Sequence, residues 1–247
     1  MNPKGPLKDK DETLDLFYHG RVRVLQKRKG YRFSVDAPLL ADFIRTEASD
    51  EILELGAGSG VISLLLSIKP FRHITAVEVQ ADLADLARRN VALNGLEDRV
   101  RIVEADFRSF DPGRRFDVVF SNPPYIRGGG GQLSRSEEKS VAKHEIKCDI
   151  HDIMRKTRTS LKEDGRAYFI YPEKRRKDFV EAVNAQDLKL KTIRPVCPRE
   201  DEAANLFLAE CGCISPKTRI LPPFILYGRD GKYTAEAEAV FSGRKAP

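Results

Sequence analysis

The sequence predicts an α/β fold: a mostly parallel sheet of seven strands, an antiparallel hairpin at one sheet edge and a short N-terminal extension. Three observations carry this. From residue 51 onward, short apolar runs alternate with stretches at helical spacing, which generates right-handed βαβ units and a parallel sheet. A glycine-rich turn joins the first of these runs to the first of these helical stretches. The last two apolar runs have no clear helical stretch between them, the pattern of antiparallel neighbours. At 247 residues the chain suits one large domain with a small extension; we divide it into a basic, partly stranded extension over 1–35 and a main domain over 36–247.

The elements follow in order. Val22 to Gln26 alternates and reads as a strand. Leu39, Leu40, Phe43 and Ile44 fall on one helix face, with Asp36 at the N-cap position. Ile52–Leu55 is a strand and Val61–Ile68 a helix. Ile74–Glu78 is the second strand of the alternating region, and Ala81–Leu93 is a helix stopped by Asn94-Gly95. Val100–Val103 and Phe116–Ser121 are the third and fourth strands. A long loop and a charged helical stretch lead to Arg166–Tyr171, the fifth. Leu188–Ile193 and Ala204–Ala209 are the last two.

Composition narrows the function. The net charge of +6 and pI of about 9.1 favour a polyanionic partner. No stretch approaches the roughly 20 apolar residues of a membrane span. The acidic start, Met1 to Tyr18, has no apolar h-region, so a cytoplasmic protein is expected, with no membrane contact. Of the four cysteines only Cys211 and Cys213 are close, so buried reduced thiols are expected rather than a metal site.

In a parallel sheet, ligands bind beyond the carboxyl ends of the strands. Glu54-Leu-Gly56-Ala-Gly58-Ser-Gly60 occupies such a place, and glycines there permit a tight turn and close approach of a ligand to the backbone. Glu78 ends the next strand, 22 residues after Gly56, where a carboxylate can accept from both hydroxyls of a ribose. Asp106 follows the third strand and is suited to an exocyclic amine of adenine. The glycine spacing is G-x-G-x-G rather than the G-x-G-x-x-G of dinucleotide sites, and Glu54 stands just before it. A carboxylate there repels pyrophosphate and suits an ammonium, so the ligand is a nucleoside with an amino-acid tail.

These residues resemble motifs I to III of the class I S-adenosylmethionine-dependent methyltransferases, which have a Rossmann-like fold. The resemblance implies S-adenosyl-L-methionine as cofactor, S-adenosyl-L-homocysteine as product and no metal. It implies that Glu54 faces the methionine ammonium, that Gly56, Gly58 and Gly60 shape the loop, that Glu78 holds the ribose, and that Asp106 and Phe107 hold the adenine.

Asn122-Pro123-Pro124-Tyr125 directly follows the fourth strand of the alternating region. An exocyclic amino nitrogen is a poor nucleophile because its lone pair is delocalised. The Asn122 side-chain oxygen can accept one of its N–H groups and the Pro123 carbonyl the other, which directs the lone pair outward. The prolines stiffen the loop, and Tyr125 offers a flat face for stacking, worth about 1–3 kcal/mol for a base. The motif resembles that of amino-nitrogen methyltransferases. Two acceptors share it: adenine N6 on nucleic acid (tRNA, rRNA or DNA) and glutamine N5 in translation release factors. A non-catalytic RNA-binding module would have lost motif residues, and none is lost.

Three basic segments favour tRNA: 16–35, with six Lys or Arg and no acid from Leu16 to Val35; 135–147, where Arg135, Lys139, Lys143 and Lys147 recur every four residues; and 174–177, Lys-Arg-Arg-Lys. Lys29 to Phe43, the glycine loop, the Asn-Pro-Pro-Tyr and the late Tyr233-Thr-Ala-Glu together resemble the bacterial adenine-N6 methyltransferases of valine tRNA, from about residue 17 to 242. Ser34-Val35 and Lys143-His144-Glu145 depart from that family's Gly-Thr and Arg-His-Glu. The resemblance implies an anticodon-loop adenine as acceptor. It also implies that Phe33 and Asp36 close over the cofactor. The run Gly128–Gly131 suits a lid. The oligomeric state is not legible.

Overall fold

The structure is a computed structural model that describes residues 9–28, 35–123, 149–214 and 217–244. The described chain enters through β1 (Glu12–Phe17) and β2 (Val22–Lys27), an antiparallel pair that forms a sheet of its own. After α1 (Asp36–Phe43) come β3 (Glu51–Leu55), α2 (Val61–Leu66), β4 (His73–Glu78), α3 (Ala81–Leu93), β5 (Val100–Glu104) and β6 (Phe116–Ser121). The second half contains α4 (Ile150–Ser160), β7 (Leu161–Pro172), α5 (Arg176–Ala185), β8 (Lys189–Cys197) and β9 (Leu206–Gly212). Two-residue strands β10 (Arg219–Ile220) and β11 (Phe224–Ile225) and helix α6 (Ala235–Ser242) follow.

The main sheet has the order β10-β8-β9-β7-β6-β3-β4-β5, with β11 also on β8. All seven expected strands are in it, and β10 and β11 extend its edge to nine. β9 alone runs against its neighbours, between β7 and β8. The crossover through α5 sets β8 one strand's width away from β7, and β9 turns back to fill the gap. The expected hairpin is therefore β8–β9, with β10 and β11 covering its outer side.

Both faces of the sheet are buried, so the central strands read as near-continuous apolar runs. Successive residues go to opposite layers. Ile52, Ile74, Val118 and Ile170 pack with α1 and α2 residues such as Leu40 and Leu64. Leu53, Val77, Val119 and Phe169 pack with Met154 of α4 and Phe179 of α5. Each such side chain contributes about 1.5–3 kcal/mol by leaving water. That margin lets β3 and β4 also hold the buried carboxylates Glu54 and Glu78.

Among the differences from expectation, three have a local reason. Asp36 is the first residue of α1 rather than its cap; Val35 holds the cap position in αR conformation without a side-chain bond. β1 was not legible because its apolar residues point outward: Leu14 is 44% and Leu16 63% exposed, while Glu12 on the same face is fully buried. β7 begins at Leu161, which pairs with Phe116, and resumes with Arg166 opposite Val118. The intervening polar Lys162 to Gly165 bulge out of register and read as loop. Among the described residues no helix is long and apolar enough to cross a membrane.

Candidate active site

The carboxyl ends of β3, β4 and β6 bring the sequence motifs together. The glycine loop leaves β3 and is bonded to the end of β4: Gly56 N–H and Ala57 N–H both donate to Val77 O, at 2.9 and 3.0 Å. Gly56, Gly58 and Gly60 all have positive φ (75°, 57° and 78°), the left-handed region where a side chain is strained. At Gly60 there is a second reason: an added Cβ would come within 3.3 Å of the Ala87 methyl in α3. The third glycine lets the loop sit directly on that helix.

Glu78 closes the loop from below. Its carboxylate accepts from Gly58 N–H at 2.7 Å and Gln80 N–H at 2.9 Å. Glu54 is 1% exposed and accepts from the Ser63 hydroxyl. Among the described residues no cation pairs with it. Burial, opposed by the Ser63 bond and reinforced by the Glu78 charge, pushes its pKa up to about 8.

Asp106 sits just beyond β5, half-buried, and is engaged by Arg108, whose Nη2 lies at 2.6 Å and whose Nε lies at 2.9 Å from Oδ2. That guanidinium holds the Asp106 carboxyl below its usual range. Phe107 packs against the core layer of α4 and α5.

Asn122 and Pro123 continue from β6, half-buried and buried respectively. The preceding residue ties this segment to the start of the glycine loop: Ser121 Oγ donates to Leu55 O at 2.7 Å, in the residue before Gly56. β3 and β6 are parallel neighbours, with Glu54 opposite Phe120, so the two motifs leave adjacent strand ends. Asp36 is buried at the start of α1. Phe33, Pro124, Tyr125, the Gly128–Gly131 run and the basic segment 135–147 lie outside the described residues.

Ser63, Ser121 and Asn90 belong to no motif read from the sequence, yet they hold the site's parts together. For Ser63 and Asn90 the available signal was a polar residue on a buried helix face. Asn90 shares the buried side of α3 with Ala84, Ala87 and Val91.

The basic segments differ in character. Arg21, Arg23 and Arg28 are exposed with no acid partner among the described residues. In 174–177, by contrast, Arg175 pairs with Asp178, Arg176 with Glu173 and Lys177 with Glu181, which weakens that cluster as a phosphate site. Cys197 and Cys211 are buried thiols and Cys213 a half-buried one. Among the described residues the one group with metal-ligand spacing, Asp9, Asp11 and Glu12, faces Lys27 and Arg89 instead.

A cavity of about 620 Å³ lies at the opposite end of the sheet, lined by Glu51, Arg72, His73, Arg101 and Arg114. Its lining shares no residue with the sequence motifs.

Comparison with known proteins agrees with this geometry. The fold is similar to the crystal structure of a predicted O-methyltransferase from Agrobacterium tumefaciens, with a TM-score of 0.67 at 20% identity, covering 86% of this chain and 98% of that one. In sequence, the chain is 29% identical over 182 residues to the tRNA1(Val) (adenine(37)-N6)-methyltransferase of Aliivibrio fischeri, spanning 73% of this chain and 77% of the relative. It is 26% identical to the enzyme of the same name from Dyadobacter fermentans, over 87% of this chain and 90% of that one. The methyltransferase small domain model matches residues 32–180, more than half of the chain and the part that carries the glycine loop, Glu78, Asp106 and Asn122. The chain belongs to that family and is a class I S-adenosylmethionine-dependent methyltransferase.

Proposed function

We propose that the protein transfers a methyl group from S-adenosyl-L-methionine to the exocyclic N6 of an adenine in the anticodon loop of a tRNA, valine tRNA by its relatives' names. The observation that carries the reading is the junction of the two motifs. The glycine loop with Glu54 and Glu78 and the acceptor segment from Asn122 leave adjacent strand ends, bonded through Ser121 and Leu55.

The residues present fit the cofactor. A buried carboxyl pushed up to about 8, with no cation beside it among the described residues, is matched by an ammonium, and the glycine loop offers backbone that a ligand can approach closely. In this reading Glu54 holds the ammonium, Glu78 the ribose hydroxyls, and Asp106 with Phe107 the adenine, with Asp36 and Phe33 closing over them. When bound, the cofactor supplies a methyl group on a sulfonium, already a good leaving group. The chain's task is then positioning, which can supply several kcal/mol of the barrier. Asn122 Oδ1 and Pro123 O accept the two N–H groups of the acceptor nitrogen, and Tyr125 stacks its ring. No strong general base is required.

An unpaired anticodon-loop base suits such a site, since extruding it avoids much of the few kcal/mol needed to flip a base from a duplex. The exposed Arg21, Arg23 and Arg28, and the segment 135–147, are suited to stem phosphates. A tRNA substrate carries the reaction to the cytoplasm. The test is incubation with radiolabelled cofactor, total tRNA and purified release factor. Label in the tRNA, released on digestion as N6-methyladenosine, is expected. Label in the protein fraction alone contradicts the reading and points to glutamine N5.

A further inference from the structure

The N-terminal hairpin and the glycine loop are separate in sequence but share one helix. α3 and its C-cap Asn94 hold the hairpin through three side chains. Arg89 forks onto Glu12, with Nη2 at 2.6 Å and Nη1 at 2.9 Å. Asn94 accepts from Arg23 N–H at 2.9 Å and donates to Arg23 O at 2.7 Å. Asn90 accepts from Leu25 N–H at 2.6 Å and donates to Leu25 O at 3.0 Å. The two asparagines, one helical turn apart, meet residues two apart on β2, so each satisfies a backbone N–H and C=O that would otherwise form an open strand edge.

Asn90 does one thing more. Its second amide proton goes to Ser59 O in the glycine loop, at 3.0 Å. One acceptor and two donors are thereby all used, in a side chain with no solvent exposure. The neighbouring peptide of the loop is fixed independently, by Gly58 N–H on Glu78. Two adjacent loop residues are thus pinned by two side chains, one of which also grips the hairpin.

We propose that Asn90 is a positioning residue that couples the N-terminal hairpin to the cofactor loop, so that the loop keeps its binding shape only while the hairpin is docked. The hairpin is then part of the cofactor site's framework, and whatever loosens it weakens cofactor binding through one amide. Among the described residues no other side chain of α3 or its C-cap bonds to both parts: Arg89 reaches Glu12 of the hairpin and Asp85 of its own helix, and Asn94 reaches Arg23 of the hairpin and the Asn90 carbonyl. The inference rests on the glycine loop being the cofactor site.

A double-mutant cycle on the full chain tests it, using S-adenosylhomocysteine binding by calorimetry and amide exchange at Gly58 and Gly60. Glu12→Gln loosens the hairpin without touching the loop. It is expected to raise the Kd several-fold and speed exchange at Gly60. Asn90→Leu, of similar volume, is expected to raise the Kd about tenfold, and Glu12→Gln added to it should have little further effect, because the link is already cut. Asn90→Asp, which keeps the acceptor and loses both donors, should fall with Asn90→Leu. A role confined to stability would lower the melting temperature and leave the Kd of the folded fraction alone. The proposal is overturned if Glu12→Gln frees the hairpin amides while the Kd and loop exchange stay unchanged, or if the two substitutions are additive. Should Asn90→Leu fail to fold, Glu12→Gln alone decides between these outcomes. Failure of the native chain to bind S-adenosylhomocysteine would overturn the cofactor reading, while exchange at Gly58 and Gly60 would still report on the link.

Discussion

Glu54 is a carboxyl group placed out of reach of water, and its protonation is linked to what binds beside it. Its pKa is pushed up to about 8 by burial, so at neutral pH it is mostly protonated in the free protein. A bound ammonium favours the ionised form, so binding releases a proton. Affinity must then rise with pH below 8 and level off above it. Titration of S-adenosylhomocysteine between pH 6 and 7.5 is expected to show Kd falling by up to about tenfold per pH unit. Glu54→Gln should flatten the slope and weaken binding; an unchanged slope would remove Glu54 from the ammonium site. Asn122→Ala is expected to cut transfer by at least about 100-fold while leaving cofactor Kd within about twofold, as suits a residue that acts on the acceptor. Retained turnover would contradict its assigned role. The places of Glu54, Glu78 and Asn122 at strand ends were legible because each lies in or directly after an apolar run. Ser63, Ser121 and Asn90 were not, because their contribution lies in which backbone group they reach.

The N-terminal hairpin shows how a charged side chain can hide an element. One face of β1 carries Glu12, Leu14 and Leu16, of which the carboxylate alone is buried, neutralised by Arg89 and Lys27, while Leu14 and Leu16 face water. The pairing holds the Glu12 carboxyl down at about 2, with Arg89 the main cause. A lowered carboxylate pKa contributes stability above the unfolded value near 4.5 and loses it as the pH falls toward 2. Hairpin amides should accordingly lose exchange protection as the pH is lowered below 4.5, before the central strands do. Glu12→Gln should remove about 1.5–3 kcal/mol of hairpin protection at pH 7. Protection that is equal in the two proteins would show the fork to be idle. The glycine loop has the opposite character, since its spacing was legible and the structure adds the reason for its last position. Gly60→Ala should cost about 1–2 kcal/mol, because it strains a left-handed residue and crowds Ala87, and a melting curve reads that loss directly.

At the scale of the molecule, the topology was legible because each strand with both faces buried reads as a continuous apolar run, and helices of regular spacing separate most of them. The position of β9 was only partly so. Its pairing partner β8 follows from the missing helix between them, but its place beside β7 depends on the gap that α5 leaves. The two-residue strands β10 and β11 are too short to leave any period. The charge distribution is also a whole-molecule property. The net +6 is uneven: Arg21, Arg23 and Arg28 of the hairpin have no acid partner among the described residues, whereas Arg175, Arg176 and Lys177 have acid partners. Substrate tRNA should therefore bind with a Kd that rises steeply between 50 and 200 mM salt. Reversing Arg21 and Arg23 to Glu should flatten that dependence by about one to two phosphate contacts. Substituting Lys174 and Lys177 should alter it little. The most direct test of the account is the nucleoside itself. Mass spectrometry of digested tRNA from cells with and without the gene should show N6-methyladenosine in an anticodon-loop fragment only when the gene is present. Its full presence in both strains, or a loss found instead at a glutamine of a release factor, would contradict the account.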